Sequence, residues 1–197
     1  TQNMKLYRAS LFSDWTADLS TEFYINQKEV DSISGNKTME YGEINIRSLV
    51  SFGPDEARHA NELTTKDLKL GFKINYLLDD HHIKFGGEYS NLDIYNAFVR
   101  RALGVWTFES IDAFANGDLT GQDSSFVYQN AYTNNAKDAA AEFSMGSGNL
   151  FIQDQWYVND DLEIGMGLRY ERLFVSDKPA LNENFVRRYG FSNQENL

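Results

Sequence analysis

The segment Asp67–Leu77, DLKLGFKINYL, alternates apolar and polar side chains along its whole length. Leu, Phe, Ile and Tyr occupy one set of alternate positions, and Lys, Gly and Asn occupy the other. This period of two predicts a β-strand with one apolar face and one polar face. Alternation of this kind, in places weaker, recurs in Met4–Phe12, Leu19–Ile25, Ile44–Phe52, Ile83–Tyr89, Asn149–Val158 and Leu162–Arg172. We therefore expect an all-β protein, with most strands long enough to cross a bilayer at a tilt.

The composition excludes several other classes. The chain has 197 residues, a formal net charge of −11 and no Cys, and 42% of its residues are hydrophobic. The hydrophobic content is too high for a disordered chain, and the lack of Cys excludes disulfide scaffolds and thiol catalysis. An acidic balance argues against nucleic acid as a partner. Mean hydropathy is −0.50, but transmembrane β-strands escape detection by averaged hydropathy.

The connections between the predicted strands differ strongly in length. Three are short and polar, at Ser13–Asp18, Leu78–His81 and Asn159–Asp161. The others are longer, and Val99–Gly148 is about fifty residues long. Tight turns that alternate with long loops are typical of outer-membrane barrels, in which the short turns are periplasmic and the long loops are extracellular. Within the longest loop we expect one short helix at Ile111–Asn116, capped by Ser110 and Gly117.

Aromatic residues cluster near the predicted strand ends. Such residues form girdles at the two water–lipid boundaries of a barrel, although aromatics also favour strands in general. The residues concerned are Tyr7, Trp15, Phe23, Tyr24, Tyr76, Tyr89, Tyr95, Trp156, Tyr157 and Tyr170.

Motifs for catalysis or metal binding are incomplete. The run Asp79-Asp80-His81-His82 is interpreted as a polar hairpin turn, because neighbouring strand residues point to opposite faces and one metal rarely takes both His. Ser147 lacks the first glycine of a nucleophile elbow, and Gly165-Met-Gly167 lacks the third glycine of a dinucleotide loop. We therefore expect no enzyme, no cofactor and no metal.

The last hairpin permits a prediction of register. A two-residue turn would place Trp156 opposite Glu163 and Asp154 opposite Gly165 on the polar face. A three-residue turn would place Asp154 beside Met166 on the apolar face, which is costly against lipid. The two-residue register is therefore preferred. It predicts a lumenal charge network of Asp154, Arg169 and Glu171, whose ordinary role is to neutralise charges inside the wall.

Several strand segments have a specific pattern, above all Leu150–Trp156, LFIQDQW, followed by Leu162–Glu171, LEIGMGLRYE. Further such segments are His82–Tyr89, Asp93–Phe98, Trp106–Ser110 and Arg58–Leu63. Together these segments resemble TonB-dependent outer-membrane receptors, with the Oar-like receptors as the nearest subgroup.

This resemblance implies a 22-stranded barrel that encloses an N-terminal plug. A TonB box would contact the inner-membrane TonB complex, and an extracellular ligand would be imported with energy from that complex. The plug and the TonB box are absent from residues 1–197, so we interpret the chain as about seven or eight strands from the middle of the barrel. Its expected partners are outer-membrane lipid, the remaining strands and plug of the same receptor, the TonB complex and an unidentified ligand.

The transporter interpretation places ligand contacts in the long loop, approximately residues 99–148. The candidate residues are Trp106, Phe108, Phe114, Tyr128 and Tyr132. The alternative role for these rings is packing within the loop itself, which is favoured for Phe108 and Phe114. Two other functions stay open: a small complete outer-membrane barrel with a structural or adhesion role, and a secreted β-sandwich that binds ligands such as glycans.

Overall fold

A computed structural model describes residues 1–35, 37–131, 133–175, 177–179, 181–192 and 194. Strands dominate this part of the chain, which confirms the all-β prediction. The strands are β1 (Gln2–Asp14), β2 (Leu19–Ser34), β3 (Glu43–Ile46), β4 (Val50–Phe52), β5 (Ala60–Leu78), β6 (His81–Val99), β7 (Val105–Phe108), β8 (Ser125–Val127), β9 (Ala141–Asn159) and β10 (Leu162–Val175). The helices are α1 (Ile111–Ala115) and α2 (Glu183–Tyr189), with 3-10 turns at Glu56–Arg58 and Ala136–Ala139.

Six long strands form one sheet in the order β1-β2-β5-β6-β9-β10. The three predicted short connections are confirmed, because β1 leads to β2, β5 to β6 and β9 to β10 through turns of two to four residues. Strands β1 and β10 are the two edges, and the described residues do not join them into a closed barrel. No helix in the described part of the chain is long and apolar enough to cross a membrane.

The segment Ile44–Phe52 is not the single strand that its alternation predicts. It divides into β3 and β4, which pair with each other as a short antiparallel hairpin. Ser48, with φ of 57°, adopts the left-handed conformation that reverses the chain between them. The hairpin belongs to a second sheet, ordered β4-β3-β7-β8, in which β3 and β7 run parallel. Alternation predicts which side chains share a face, but it does not reveal a turn made by a non-glycine residue.

The Cα positions divide the chain into two compact units. Unit 1 comprises Thr1–Asn3, Val30–Thr64 and Tyr95–Glu142, and unit 2 comprises Met4–Glu29, Thr65–Ile94 and Phe143–Leu197. Unit 1 contains the short second sheet and a small core. The buried apolar side chains of that core are Ile46, Ala97, Ala102, Val105 and Phe108.

Helix α1 begins where the sequence predicts it. The Ser110 hydroxyl accepts a hydrogen bond from the Ala113 amide at 3.1 Å, which satisfies one free donor of the first turn. Gly117, with φ of 64°, follows the last turn in the left-handed conformation that glycine tolerates. Helix α2, which the sequence analysis did not predict, is capped in the same way by Asn182 and Gly190.

Aromatic rings in unit 2 cover glycines on neighbouring strands. The ring of Tyr24 in β2 lies over Gly71 in β5, and the ring of Phe151 in β9 lies over Gly86 in β6. A Cβ atom at either glycine would overlap the ring above it. These glycines therefore provide the space in which the rings pack against the backbone.

Candidate functional site

The apolar face of the six-stranded sheet is the largest candidate surface in unit 2. In β10 the alternate residues from Ile164 to Tyr170 are all apolar and all exposed. Leu168 is 74% exposed and Tyr170 is 64% exposed. A soluble monomer rarely leaves an apolar surface of this kind in water, so such a surface marks contact with a membrane or a partner.

An open groove of about 970 Å³ runs over this face. Its volume lies at the upper end of the range for ligand-binding sites. All six strands of the sheet line it, through residues that include Leu11, Phe23, Phe72, Tyr89, Leu150 and Tyr170.

A charge network lies on the opposite, polar face of the sheet. Glu22 accepts hydrogen bonds from Arg8 at 3.2 Å and from Lys73 at 3.1 Å. The ring of Tyr24 lies over Gly71, and its hydroxyl donates a hydrogen bond to the Glu88 carboxylate at 2.6 Å. The network ties β1, β2, β5 and β6 together, and within it Glu22 is neutralised by Arg8 and Lys73.

The predicted two-residue register of the last hairpin is wrong. Met166 lies opposite Asp154, and Ile164 lies opposite Trp156. The Asn159 side chain accepts a hydrogen bond from the Asp161 amide at 3.0 Å, and an irregularity between Leu162 and Glu163 shifts the pairing. Asp154 thus lies on the apolar face beside Met166, the position that the alternative three-residue turn was expected to give.

The cost of a carboxylate on the apolar face is reduced by His81. Nδ1 of His81 lies 2.7 Å from Oδ2 of Asp154, and the imidazole stacks on the Trp156 ring at 5.4 Å. Oδ1 of Asp154 is buried and has no hydrogen-bond partner among the described residues. The register prediction considered strand pairing alone and omitted a partner from the neighbouring strand.

The predicted network of Asp154, Arg169 and Glu171 is therefore divided. Arg169 and Glu171 form an ion pair at 3.2 Å on the polar face, and each is more than half exposed. Asp154 points to the other face and takes no part in this pair.

The predicted ligand-contact residues occupy different environments in unit 1. Phe108 is 7% exposed, and its ring contacts the ring of Phe114 at 5.3 Å, which favours a packing role for both. Trp106 is half-buried, Tyr128 is 43% exposed, and Tyr132 lies outside the described residues.

Phe126 lies between two of the predicted ligand-contact residues, Trp106 and Tyr128, but the sequence analysis did not include it among the candidates. It is 51% exposed and lies between Trp106, at 4.9 Å, and Tyr128, at 6.4 Å. The three rings form a row along one side of the second sheet, because Trp106 in β7 pairs directly with Phe126 in β8. The alternation of Phe126 with Tyr128 was the available signal.

A buried polar cluster supports the loop structure of unit 1. The ring of His59, which is 5% exposed, bonds to the Pro54 carbonyl at 3.0 Å and accepts from the Leu103 amide at 3.2 Å. Both ring nitrogens are therefore used, and the neutral ring with its proton on Nε2 fits this arrangement.

Glu56 joins two further segments of the same unit. Its carboxylate accepts hydrogen bonds from both Arg100 and Arg101, and its backbone amide donates to Glu43 at 2.8 Å. The hydrogen bond from Arg101, supported by Arg100, holds the pKa of Glu56 below its ordinary value against the opposing effect of partial burial.

Comparison with known proteins yields one family. A family model described as an outer membrane beta barrel domain matches residues 8–193. No curated protein and no solved structure matches the chain at a significant level. The match covers β2, β5, β6, β9 and β10 in full and β1 from residue 8 onward. The membrane lipid that surrounds proteins of this family accounts for the exposed apolar face of these strands.

Proposed function

The chain belongs to the outer membrane β-barrel domain family, and from this premise we propose that it forms part of the wall of a TonB-dependent receptor. On this proposal the protein binds an extracellular ligand and imports it with energy from the inner-membrane TonB complex. The plug that contacts TonB lies outside residues 1–197, and the protein has no catalytic activity of its own. The resemblance of Leu150–Trp156 and Leu162–Glu171 to these receptors supports the proposal.

The open edges of the six-stranded sheet carry the argument for a larger barrel. Strands β1 and β10 are 13 and 14 residues long, and within the part of the chain that the structure describes each pairs with a strand on one side only. A long free edge exposes backbone donors and acceptors, and in lipid each such group costs several kcal/mol. Bacterial barrels have at least about eight strands. Further strands therefore cover both edges on this proposal.

Cysteine crosslinking tests whether the barrel is larger than this chain. Residues 1–197 contain no native Cys, so the introduced pair would supply the only Cys in this part of the protein. One Cys would be placed between Tyr7 and Leu11 in β1 and one between Leu168 and Arg172 in β10, in the full gene product after membrane insertion, with each single-Cys variant as a control. We expect no disulfide between the two edges of one chain, because other strands separate them. Efficient closure within one chain would instead support the small complete barrel.

The ligand and TonB contacts are tested in cells. This proposal places the long segment 99–148 on the extracellular side, where Trp106, Phe126 and Tyr128 form a row of neighbouring rings of which Phe126 and Tyr128 are exposed. We expect Trp106→Ala with Tyr128→Ala to reproduce the growth defect of a gene deletion, in a medium where the deletion has one, without lowering the amount of protein in the outer membrane. Site-specific photo-crosslinking of the full gene product to TonB checks the energy coupling. Absence of any TonB adduct would refute the transporter proposal.

A further inference from the structure

Arg172 is a charged residue on the apolar face of β10. It follows Leu168 and Tyr170 in the same alternate positions, so its side chain leaves the same face of the sheet. Its partner in the register is Gly148, which leaves the space beside it free of a side chain. The guanidinium carbon lies 5.2 Å from the centre of the Phe174 ring, and both residues line the apolar groove.

This cation forms no ion pair with a carboxylate of the residues that the structure describes. Arg169, three residues earlier on the opposite face, is by contrast paired with Glu171 at 3.2 Å. An arginine side chain keeps its charge at all physiological pH values. The groove therefore presents one uncompensated positive charge within an apolar lining.

The position of Arg172 along the strand matches a membrane boundary. Ten residues separate it from Leu162, the first residue of β10. At about 3.3 Å per residue this is about 33 Å along the strand, and about 25 Å of height for a strand tilted by about 40°. The apolar band of an outer-membrane barrel is about 25 Å tall. With the Asn159–Asp161 turn at one boundary, Arg172 reaches the other, where lipid headgroups lie.

We propose that this groove binds a membrane lipid whose headgroup phosphate pairs with Arg172. A planar guanidinium matches the oxygen geometry of a phosphate. The acyl chains lie against Leu150, Leu168 and Tyr170 on the same face. The inference rests on the outer-membrane assignment and is independent of TonB-dependent transport.

Lipid retention measured by native mass spectrometry tests this site. The full gene product, purified in non-ionic detergent, would be titrated with dioleoyl phosphatidylglycerol, and with dioleoylglycerol, which has the same acyl chains but no phosphate, as the comparison. We expect one tightly retained phosphatidylglycerol and about tenfold weaker binding of dioleoylglycerol, the difference that one charged contact of about 1.4 kcal/mol gives. Arg172→Gln should lose this preference, Arg172→Lys should keep most of it, and Arg169→Gln is the matched control with wild-type binding.

A second variant separates loss of binding from loss of folding. Gly148→Val leaves the charge in place but puts a branched side chain where the groove passes Arg172, and a Cβ there already meets the Phe174 ring at 3.4 Å. We expect weaker lipid retention with an unchanged far-UV circular dichroism spectrum. Equal retention of both lipids by the wild-type chain, or undiminished preference in Arg172→Gln, would overturn the proposal and leave only non-specific adsorption to the apolar face.

Discussion

The hydrogen bond between His81 and Asp154 should be measurable as a coupling free energy. The perturbation is a double-mutant cycle of His81→Ala, Asp154→Ala and the two together. The Nδ1–Oδ2 distance is 2.7 Å, and the two side chains are 36% and 22% exposed. Hydrogen bonds to charged groups contribute about 1.5–3 kcal/mol. Because water reaches both groups in part, we expect a coupling near the lower limit, about 1.5 kcal/mol.

The single substitutions should differ in cost. His81→Ala leaves a carboxylate on the apolar face with no partner, since Oδ1 of Asp154 already lacks one among the described residues. We expect a loss of about 2–3 kcal/mol in the free energy of unfolding. Asp154→Ala removes the costly group together with its bond and should change stability by less than about 1 kcal/mol. In the His81→Ala background, Asp154→Leu should restore stability, because it extends the apolar face.

Urea titration of the chain inserted in phospholipid vesicles, followed by tryptophan fluorescence, supplies these free energies. His82→Ala is the matched control, because the neighbouring strand residue points to the opposite face. Additivity of the two single substitutions within about 0.5 kcal/mol would refute the reasoning, since independent sites behave in that way.

Three further outcomes follow from the register and from unit 1. Paired cysteines at Asp154 and Met166 should form a disulfide, whereas cysteines at Asp154 and Gly165 should not, because only the first two residues lie opposite each other on one face; a gel under non-reducing conditions shows which pair closes. His59→Leu leaves two buried backbone groups unsatisfied and should destabilise unit 1 by about 2 kcal/mol or more, seen as faster amide hydrogen exchange there; unchanged exchange would contradict the role of the ring. Because folding lowers the pKa of Glu56 from 4.5, its stabilising effect is complete above the ordinary value and is lost as pH falls through the folded value. The stability difference between the wild-type chain and Glu56→Gln should therefore shrink below about pH 4.5, and a constant difference would exclude this linkage.

Much of unit 2 could be predicted from the sequence because one rule governs it. Alternation of period two identifies a strand and the face of each side chain, so the predicted segments Asp67–Leu77 and Leu162–Arg172 lie inside β5 and β10, although β5 begins seven residues earlier and β10 ends three residues later. The same rule fails at Ser48, where a positive φ reverses the chain inside an alternating segment. It also failed for Asp154, whose face depends on the turn conformation and on His81 from another strand.

The candidate surfaces were predicted less completely than the strands. The packing of Phe108 against Phe114 depends on how helix α1 folds back onto the second sheet, which no periodicity encodes. Arg172 was visible in the sequence as the end of a strand. That no carboxylate of the described residues pairs with it depends, by contrast, on the pairing of β9 with β10 and became apparent only in three dimensions.

The ring of Tyr24 over Gly71 has a consequence for how the wall assembles. If β2 and β5 slipped by one residue, Tyr24 would lie beside Leu70 or Phe72 instead of Gly71. The side chain of either residue would occupy the space that Gly71 leaves for the Tyr24 ring. The Tyr24 hydroxyl would also lose its bond to Glu88. The native alignment of β2 with β5 is therefore favoured over a slip of one residue.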